Sequence, residues 1–85
     1  MEEVKVGGRY HHFKGKDYRV IAIARDCDNP ERKLVIYQAL YDSLEFGKGQ
    51  IWVREINDFL GYKEDNGKKI KRFTLIEWLL SSIPQ

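Results

Sequence analysis

The densest run of apolar residues spans positions 34–41, where Gln38 is the only residue that is neither aliphatic nor aromatic. Its β-branched and aromatic content, over so short a length, favours a β-strand over a helix. Side chains alternate between the two faces of a strand, and here both alternating sets are largely apolar. The pattern therefore predicts a central strand that is covered on both faces.

Two further strands are predicted before this central strand. Residues 9–13 alternate bulky side chains, and residues 18–24 carry apolar side chains on both faces. The Gly15 turn between them is short, so the two segments should pair as a hairpin. The other predicted elements are a polar loop at 25–32, a loop at 42–50, a strand at 51–54 and a helical turn at 55–60.

The last third of the chain contains a hairpin signal and a helix signal. Asn66-Gly67, between two polar segments, predicts a type I′ hairpin. Thr74 and Glu77 form a capping box, and the apolar residues that follow fall at helical spacing. We therefore predict a C-terminal helix over residues 74–83. Continuation of the hairpin strand through residues 73–76 is the alternative.

These elements predict a mainly β fold. About five short strands and a terminal helix, without a long crossover connection, favour a small SH3-like antiparallel barrel or an α+β roll with a flatter sheet. The helix would plug an open end or cover one face. We expect residues 1–85 to form a single domain with a C-terminal helical tail at 74–83.

Composition and charge narrow the class of protein. The chain has 85 residues, of which 42% are hydrophobic, and this suits one small folded domain. Its single cysteine cannot form an intramolecular disulfide, and the N-terminus lacks a signal-peptide pattern, so a cytoplasmic protein is expected. No apolar run approaches the ~20 residues that span a bilayer. The formal net charge is only +2, although both ends of the chain are basic and the middle is mildly acidic.

Three short motifs together resemble a known family. They are Tyr-His-His-Phe-Lys-Gly-Lys-Asp-Tyr-Arg-Val at 10–20, Val-Ile-Tyr-Gln-Ala-Leu-Tyr at 35–41 and Trp-Val-Arg at 52–54. The combination resembles a small bacterial family known only as a domain of unknown function, over residues 8–76. The resemblance implies a compact β-rich domain and no catalytic assignment. The chain departs from the family pattern at residues 25–28. It departs again at Glu55, a position where relatives commonly have proline.

No motif of a metal site or of a catalytic site is complete. His11 and His12 are adjacent, so they point to opposite faces of a strand, and Cys27 is a lone thiol. Gly47-Lys48-Gly49 lacks the flanking pattern of a phosphate-binding loop. We therefore predict no cofactor, no metal and no catalytic residue, and an enzyme is the less favoured class.

Aromatic residues and one arginine are the best candidates for a binding surface. On strands, their faces and a guanidinium would line a shallow groove of the kind that holds stacked bases, proline-rich peptides or methylated cations. We expect a binding module for a protein or peptide partner. Its predicted ligand-binding residues are Tyr10, His12, Tyr37, Tyr41, Trp52 and Arg54.

Three alternatives stay open. One is a small enzyme that acts on a nucleotide or a modified base, with His12 as general acid or base and Arg54 holding an anion. Another is binding of single-stranded nucleic acid by the basic residues Arg9, Lys14, Lys16, Arg19, Lys68, Lys69, Lys71 and Arg72. The third is a homodimer through the apolar residues Leu75, Ile76, Leu79, Leu80 and Ile83.

Overall fold

A computed structural model describes residues 3–78 of the chain. Its strands are β1 (Arg9–His12), β2 (Asp17–Asp26), β3 (Asn29–Ala39), β4 (Asp42–Ser43), β5 (Gly47–Lys48), β6 (Ile51–Glu55), β7 (Tyr62–Asp65), β8 (Lys68–Lys71) and β9 (Phe73–Glu77). The helix α1 (Ile56–Phe59) is a single turn that follows β6. The prediction of a mainly β fold is thus confirmed.

Five strands form the main sheet, in the order β6-β3-β2-β1-β9, and every neighbouring pair is antiparallel. The predicted central strand is β3, which lies between β2 and β6. Among the described residues, β4 pairs with β5 alone and β7 pairs with β8 alone, as separate two-stranded hairpins. Neither hairpin adds a strand to the main sheet.

One face of the main sheet carries the core, and we call it the inner face. Strand partners that lie directly opposite each other share a face. Tyr10 is opposite Tyr18, Val20 is opposite Tyr37, and the alternation places Val35 on the same side. The buried residues are Tyr10, Val20, Val35, Tyr37, Ala39, Phe59 and Phe73. Phe59 reaches this cluster because α1 turns the chain over the inner face after β6.

The sheet is open, so the prediction of a closed barrel is wrong. β6 and β9 occupy the two ends of the strand order, and within residues 3–78 they do not pair with each other. The chain between them forms α1 and the β7–β8 hairpin instead of a strand that bridges the gap. The last strand does return to the first, since β9 pairs with β1.

The predicted C-terminal helix is wrong where it falls within the described residues. Residues 73–77 form β9, in which Phe73 is opposite His12 and Leu75 is opposite Tyr10. Pairing with β1 satisfies the backbone and buries Phe73, and this outweighs the local capping-box preference. Residues 73–76 are in a strand, as the alternative had it, but this strand is separate from β8 and pairs with β1, so it does not continue the hairpin. Leu79, Leu80 and Ile83 lie outside the described residues, and the homodimer stays a prediction.

Two turns were predicted with different success. The hairpin at Asn66-Gly67 is confirmed, and both residues have the positive φ, 53° and 78°, that a type I′ turn requires. The loop predicted at 25–32 is wrong, because β2 and β3 continue to a tight turn at Cys27-Asp28. In this turn the Asp26 carboxylate accepts the backbone N–H of Asp28 at 2.9 Å, which replaces a longer connection.

No helix in the described part of the chain has the length and the apolar character that crossing a membrane requires.

Candidate functional site

A pocket of about 200 Å³ opens on the inner face of the sheet. Its lining residues are His12, Tyr18, Tyr37, Trp52, Arg54 and Phe73. We call it the aromatic–arginine pocket. It is lined by five rings and one guanidinium, and across residues 3–78 no carboxylate contributes to its lining.

Strand register brings these side chains together. Trp52 is opposite Tyr37 in the β3–β6 pair, and Arg54 is opposite the buried Val35, so both β6 side chains belong to the inner face. At the far side of the pocket, His12 is opposite Phe73 in the β1–β9 pair. Residues that are distant in the sequence therefore meet because all five strands of the main sheet present a side chain to the same face.

The pocket walls are aromatic rings in near-perpendicular contact. The ring centroids of Tyr18 and Tyr37 are 5.4 Å apart at 75°, and those of Tyr37 and Phe73 are 5.4 Å apart at 72°. Behind them, Phe73 stacks on Phe59 with centroids 4.2 Å apart and planes at 7°. Edge-to-face and stacked contacts of this kind favour fixed ring positions. These contacts therefore hold the rings of the pocket in place without a ligand.

Arg54 brings a positive charge to this apolar surface. Its Nε donates to the Tyr37 hydroxyl at 3.3 Å. Among the residues that the structure describes, no carboxylate forms an ion pair with Arg54. A guanidinium has five N–H donors in a planar fork, so most of its donor capacity remains for a ligand.

His12 adds a neutral hydrogen-bonding group to the pocket. Its Nδ1 accepts the backbone N–H of Lys14 at 3.1 Å, so the neutral ring carries its proton on Nε2. Burial lowers the pKa of His12 below its ordinary value, and the charges of Arg54, Arg72 and Lys14 lower it further. At neutral pH, His12 therefore offers an N–H donor without adding a charge.

Tyr18 is held in its neutral form beside this donor set. Its hydroxyl shares a hydrogen bond of 2.7 Å with the hydroxyl of Tyr41. Burial, followed by this hydrogen bond, raises the pKa of Tyr18 above its ordinary value. Tyr18 therefore lines one side of the pocket as a polar, uncharged group.

Four of the six residues predicted to bind a ligand lie together in the pocket: His12, Tyr37, Trp52 and Arg54. Tyr10 is only 2% exposed and packs against Phe59 in the core, so it supports the pocket from behind. Tyr41 contributes through its hydrogen bond to Tyr18 and faces a separate surface depression.

Tyr18 and Phe73 line the pocket but were missing from the sequence-based site. Tyr18 carried a usable signal, because its spacing from Val20 places both on one face of β2. Phe73 carried none, since its contribution depends on the pairing of β9 with β1. Register between strands far apart in sequence cannot be read from local patterns.

The basic residues predicted to bind nucleic acid lie in different surroundings. Arg9 is paired with Asp17, with Nη2 and Oδ2 2.8 Å apart, and the Arg19 guanidinium donates to the Gly7 carbonyl. In the β7–β8 hairpin, lysines lie opposite acidic residues, as Lys69 does opposite Glu64. Lys14 and Arg72 differ from these, because their charges act on His12 at the pocket.

Asp26, Cys27 and Asp28 form a cluster of candidate metal ligands at the β2–β3 turn, with ligand atoms within 4.8 Å of one another. Cys27 and Asp28 are exposed, and Asp26 is partly buried. The Asp26 carboxylate forms an ion pair with Arg32, in which Oδ2 and Nη1 are 3.2 Å apart. Arg32 therefore neutralises part of the negative charge of the cluster.

Residues 8–75 match the model of a family whose description is "Protein of unknown function (DUF1653)". No curated protein and no solved structure matches the chain.

Proposed function

The chain belongs to the DUF1653 family of proteins of unknown function, and we propose that it is a binding module whose aromatic–arginine pocket holds one planar, anionic group of a protein or peptide partner. The observation that carries the proposal is the lining of the pocket. It combines ring faces, an N–H donor on His12 and the Arg54 guanidinium, without a carboxylate among the described residues.

The size of the pocket favours a single group of the partner. An apolar cavity of about 150 Å³ holds one benzene ring. Sites for drug-sized ligands measure roughly 300–1,000 Å³. A volume of about 200 Å³ lies between these two, and suits one ring or one planar side chain.

The charge of the pocket favours an anion over a cation. Perpendicular rings also build the cages that hold methylated ammonium groups, which are attracted to ring faces. A second cation here would be repelled by Arg54, and no described carboxylate of the lining would compensate for it. A carboxylate would instead accept paired hydrogen bonds from the guanidinium, and these are among the stronger ones in proteins.

Three ring probes that differ mainly in charge test this proposal: benzoate, benzamide and benzylammonium. Each is titrated at millimolar concentrations into the full-length ¹⁵N-labelled chain, and the dissociation constants are compared by NMR. We expect benzoate to bind most tightly and benzylammonium most weakly. Tightest binding by benzylammonium, or equal binding by all three, would contradict the proposal.

A pair of arginine variants provides the matched control. Arg54→Gln removes the charge from the pocket, and Arg9→Gln removes a charge from the opposite face of the sheet. We expect Arg54→Gln to abolish the preference for benzoate over benzamide, and Arg9→Gln to leave it unchanged. If both variants lose the preference equally, the long-range field and not the pocket is responsible.

A nucleotide or an unpaired base is the second candidate ligand, either bound as part of a single strand or acted on as a substrate. It is favoured by Lys14 and Arg72, which lie near enough to His12 to lower its pKa and could face a phosphate. Thermal-shift measurements with nucleoside monophosphates test the small ligand. For a single strand, an oligothymidylate held by about four phosphates should show log K falling with log salt at a slope near −3.

A further inference from the structure

The outer edge of β6 borders the pocket and carries backbone groups that no strand within residues 3–78 takes up. β6 pairs with β3 on one side only. The backbone N–H of Ala39 donates to the Gln50 carbonyl at 2.9 Å, which identifies these two residues as a hydrogen-bonded antiparallel pair. Such pairs recur at every second residue, so Trp52 and Arg54 also direct their backbone groups at β3.

The residues between them direct their backbone groups away from the sheet. Alternation leaves the N–H and C=O of Val53 and the N–H of Ile51 on the outer edge. The Ile51 carbonyl accepts a hydrogen bond from the Gln50 side chain at 3.0 Å, which is consistent with this orientation. Val53 is therefore positioned to exchange two hydrogen bonds with an added strand.

The side chains of β6 divide between the two faces of the sheet. Trp52 and Arg54 line the pocket on the inner face. Ile51 and Val53 belong to the other face, and they are 52% and 57% exposed. An exposed edge with apolar, β-branched residues is a ready template for an additional strand.

We propose that the partner binds as an extended acidic peptide segment, paired antiparallel with the outer edge of β6. The residue opposite Arg54 is acidic and places its carboxylate in the aromatic–arginine pocket. The next residue, opposite Val53, is apolar and packs beside it on the other face. This inference rests on the proposed function of the pocket and adds the conformation and the sequence pattern of the partner.

Charge complementarity favours an acidic segment over other occupants. Arg54, on β6 itself, lines the pocket beside this edge, and the charges of Arg72 and Lys14 act on His12 in the same pocket, so the pocket side of the edge is positive. The acid at the end of β6, Glu55, is already engaged, because its Oε2 lies 3.3 Å from Nε of Arg32. A glutamate or aspartate from a peptide would thus meet cations and no competing carboxylate of the pocket lining.

A six-residue peptide tests the pairing: acetyl-Thr-Glu-Val-Thr-Val-Thr-amide. In the proposed register its glutamate is opposite Arg54, its first valine opposite Val53 and its second valine opposite Ile51. N-methylation of both valine amides should block pairing and weaken binding to the full-length chain by about tenfold or more. N-methylation of the glutamate and central threonine amides, which point away from β6, should change binding by less than about threefold.

Substitutions in the protein, instead of changes to the peptide, test the same pairing. Val53→Pro removes an N–H that points away from β3, a position where an edge strand tolerates proline. We expect it to weaken peptide binding by about tenfold and to leave benzoate binding intact. The control, Val53→Thr, keeps the N–H and should bind the peptide nearly as well as the wild type.

Several results would overturn the inference. The inference is wrong if the parent peptide does not bind, or if the two N-methylated peptides bind equally or both fail to bind. It is also wrong if Val53→Pro leaves peptide binding unchanged. A wild-type dimer that Val53→Pro converts to a monomer, measured by light scattering, would assign the edge to a second copy of the chain and would also overturn it. Benzoate binding that persists in any of these cases would leave the proposed pocket function standing.

Discussion

Two arginines on opposite faces of the same sheet have different surroundings. Arg9, on the outer face of β1, is held by Asp17 through contacts of 2.8 and 2.9 Å. Arg54, on the inner face of β6, contacts a neutral tyrosine hydroxyl at 3.3 Å. The charge of Arg9 is used in an ion pair that joins β1 to β2. Arg54 keeps its charge available at a pocket, and this is the arrangement expected of a binding group.

The adjacent histidines His11 and His12 repeat the contrast. Because successive side chains alternate, His11 faces Asp17, with Nδ1 and Oδ1 2.7 Å apart, whereas His12 faces the pocket and its cations. One backbone step thus separates an acidic environment from a basic one. On the outer face of this hairpin, Asp17 contacts both Arg9 and His11, whereas no described carboxylate lines the pocket on the inner face.

The largest expected difference between the faces is in stability, and two residues of β9 measure it. Phe73 is 2% exposed on the inner face, and Ile76 is 52% exposed. Phe73→Ala should lower the free energy of unfolding by about 3–5 kcal/mol, because it opens a cavity beside Phe59. Ile76→Ala should cost less than about 1 kcal/mol. Urea denaturation monitored by circular dichroism compares them, with Phe73→Leu as a milder variant.

Equal losses for Phe73→Leu and Ile76→Ala would contradict the assignment of the core to the inner face.

The two arginines should differ in their effect on stability by a smaller amount. Arg9→Gln breaks an ion pair that is partly exposed, so it should lower the free energy of unfolding by no more than about 1 kcal/mol. Arg54→Gln removes a cation that has no carboxylate partner among the described residues, so stability should stay constant or rise. Thermal melts of both variants test this, and a larger loss for Arg54→Gln would mean that its charge serves the fold.

The smallest effect is a difference in pH dependence between the faces. The pKa of His12 is lowered in the folded state, so the unfolded chain binds the proton more readily, and stability should fall as the pH drops below about 6.5. Hydrogen bonds from His11 and Arg9 lower the pKa of Asp17. Its contribution is present above about pH 3.9 and should be lost as the pH falls through the folded value.

Unfolding free energies measured across this pH range separate the two groups. His12→Gln should flatten the profile as the pH falls below about 6.5, and Asp17→Asn should flatten it below about pH 4. A profile that His12→Gln leaves unchanged would show that the ring is not in the basic environment described for it.

Local sequence patterns specified most of the strands but not their assembly. Local patterns of apolar and bulky residues identified β1, β2, β3 and β6, and Asn66-Gly67 identified the β7–β8 hairpin. The capping box at Thr74 misled, since its preference is worth less than the strand pairing that buries Phe73. The polar composition of residues 25–32 also misled, because β2 and β3 extend into this segment and leave only a tight turn at Cys27-Asp28.

The site shows the same division between local and long-range information. His12, Tyr37, Trp52 and Arg54 were identifiable as residue types that suit a binding groove, but they meet only when the four strands β6, β3, β2 and β1 are aligned. The roles of Tyr10 as core and Phe73 as pocket wall follow from the β1–β9 pairing, which joins the two ends of the described chain. No local pattern contains that pairing.

The most direct test of the account places a reporter in the pocket and another away from it. The chain has two tryptophans: Trp52 lines the pocket, and Trp78 donates from Nε1 to the Val6 carbonyl. In the full-length chain labelled with 5-fluorotryptophan, benzoate should shift the ¹⁹F resonance of Trp52 and leave that of Trp78 in place, with Trp78→Phe providing the assignment. In Arg54→Gln, benzoate and benzamide should shift Trp52 equally. A shift confined to Trp78, or no shift of Trp52 at saturating benzoate, would contradict the central claim that this pocket binds a planar anion.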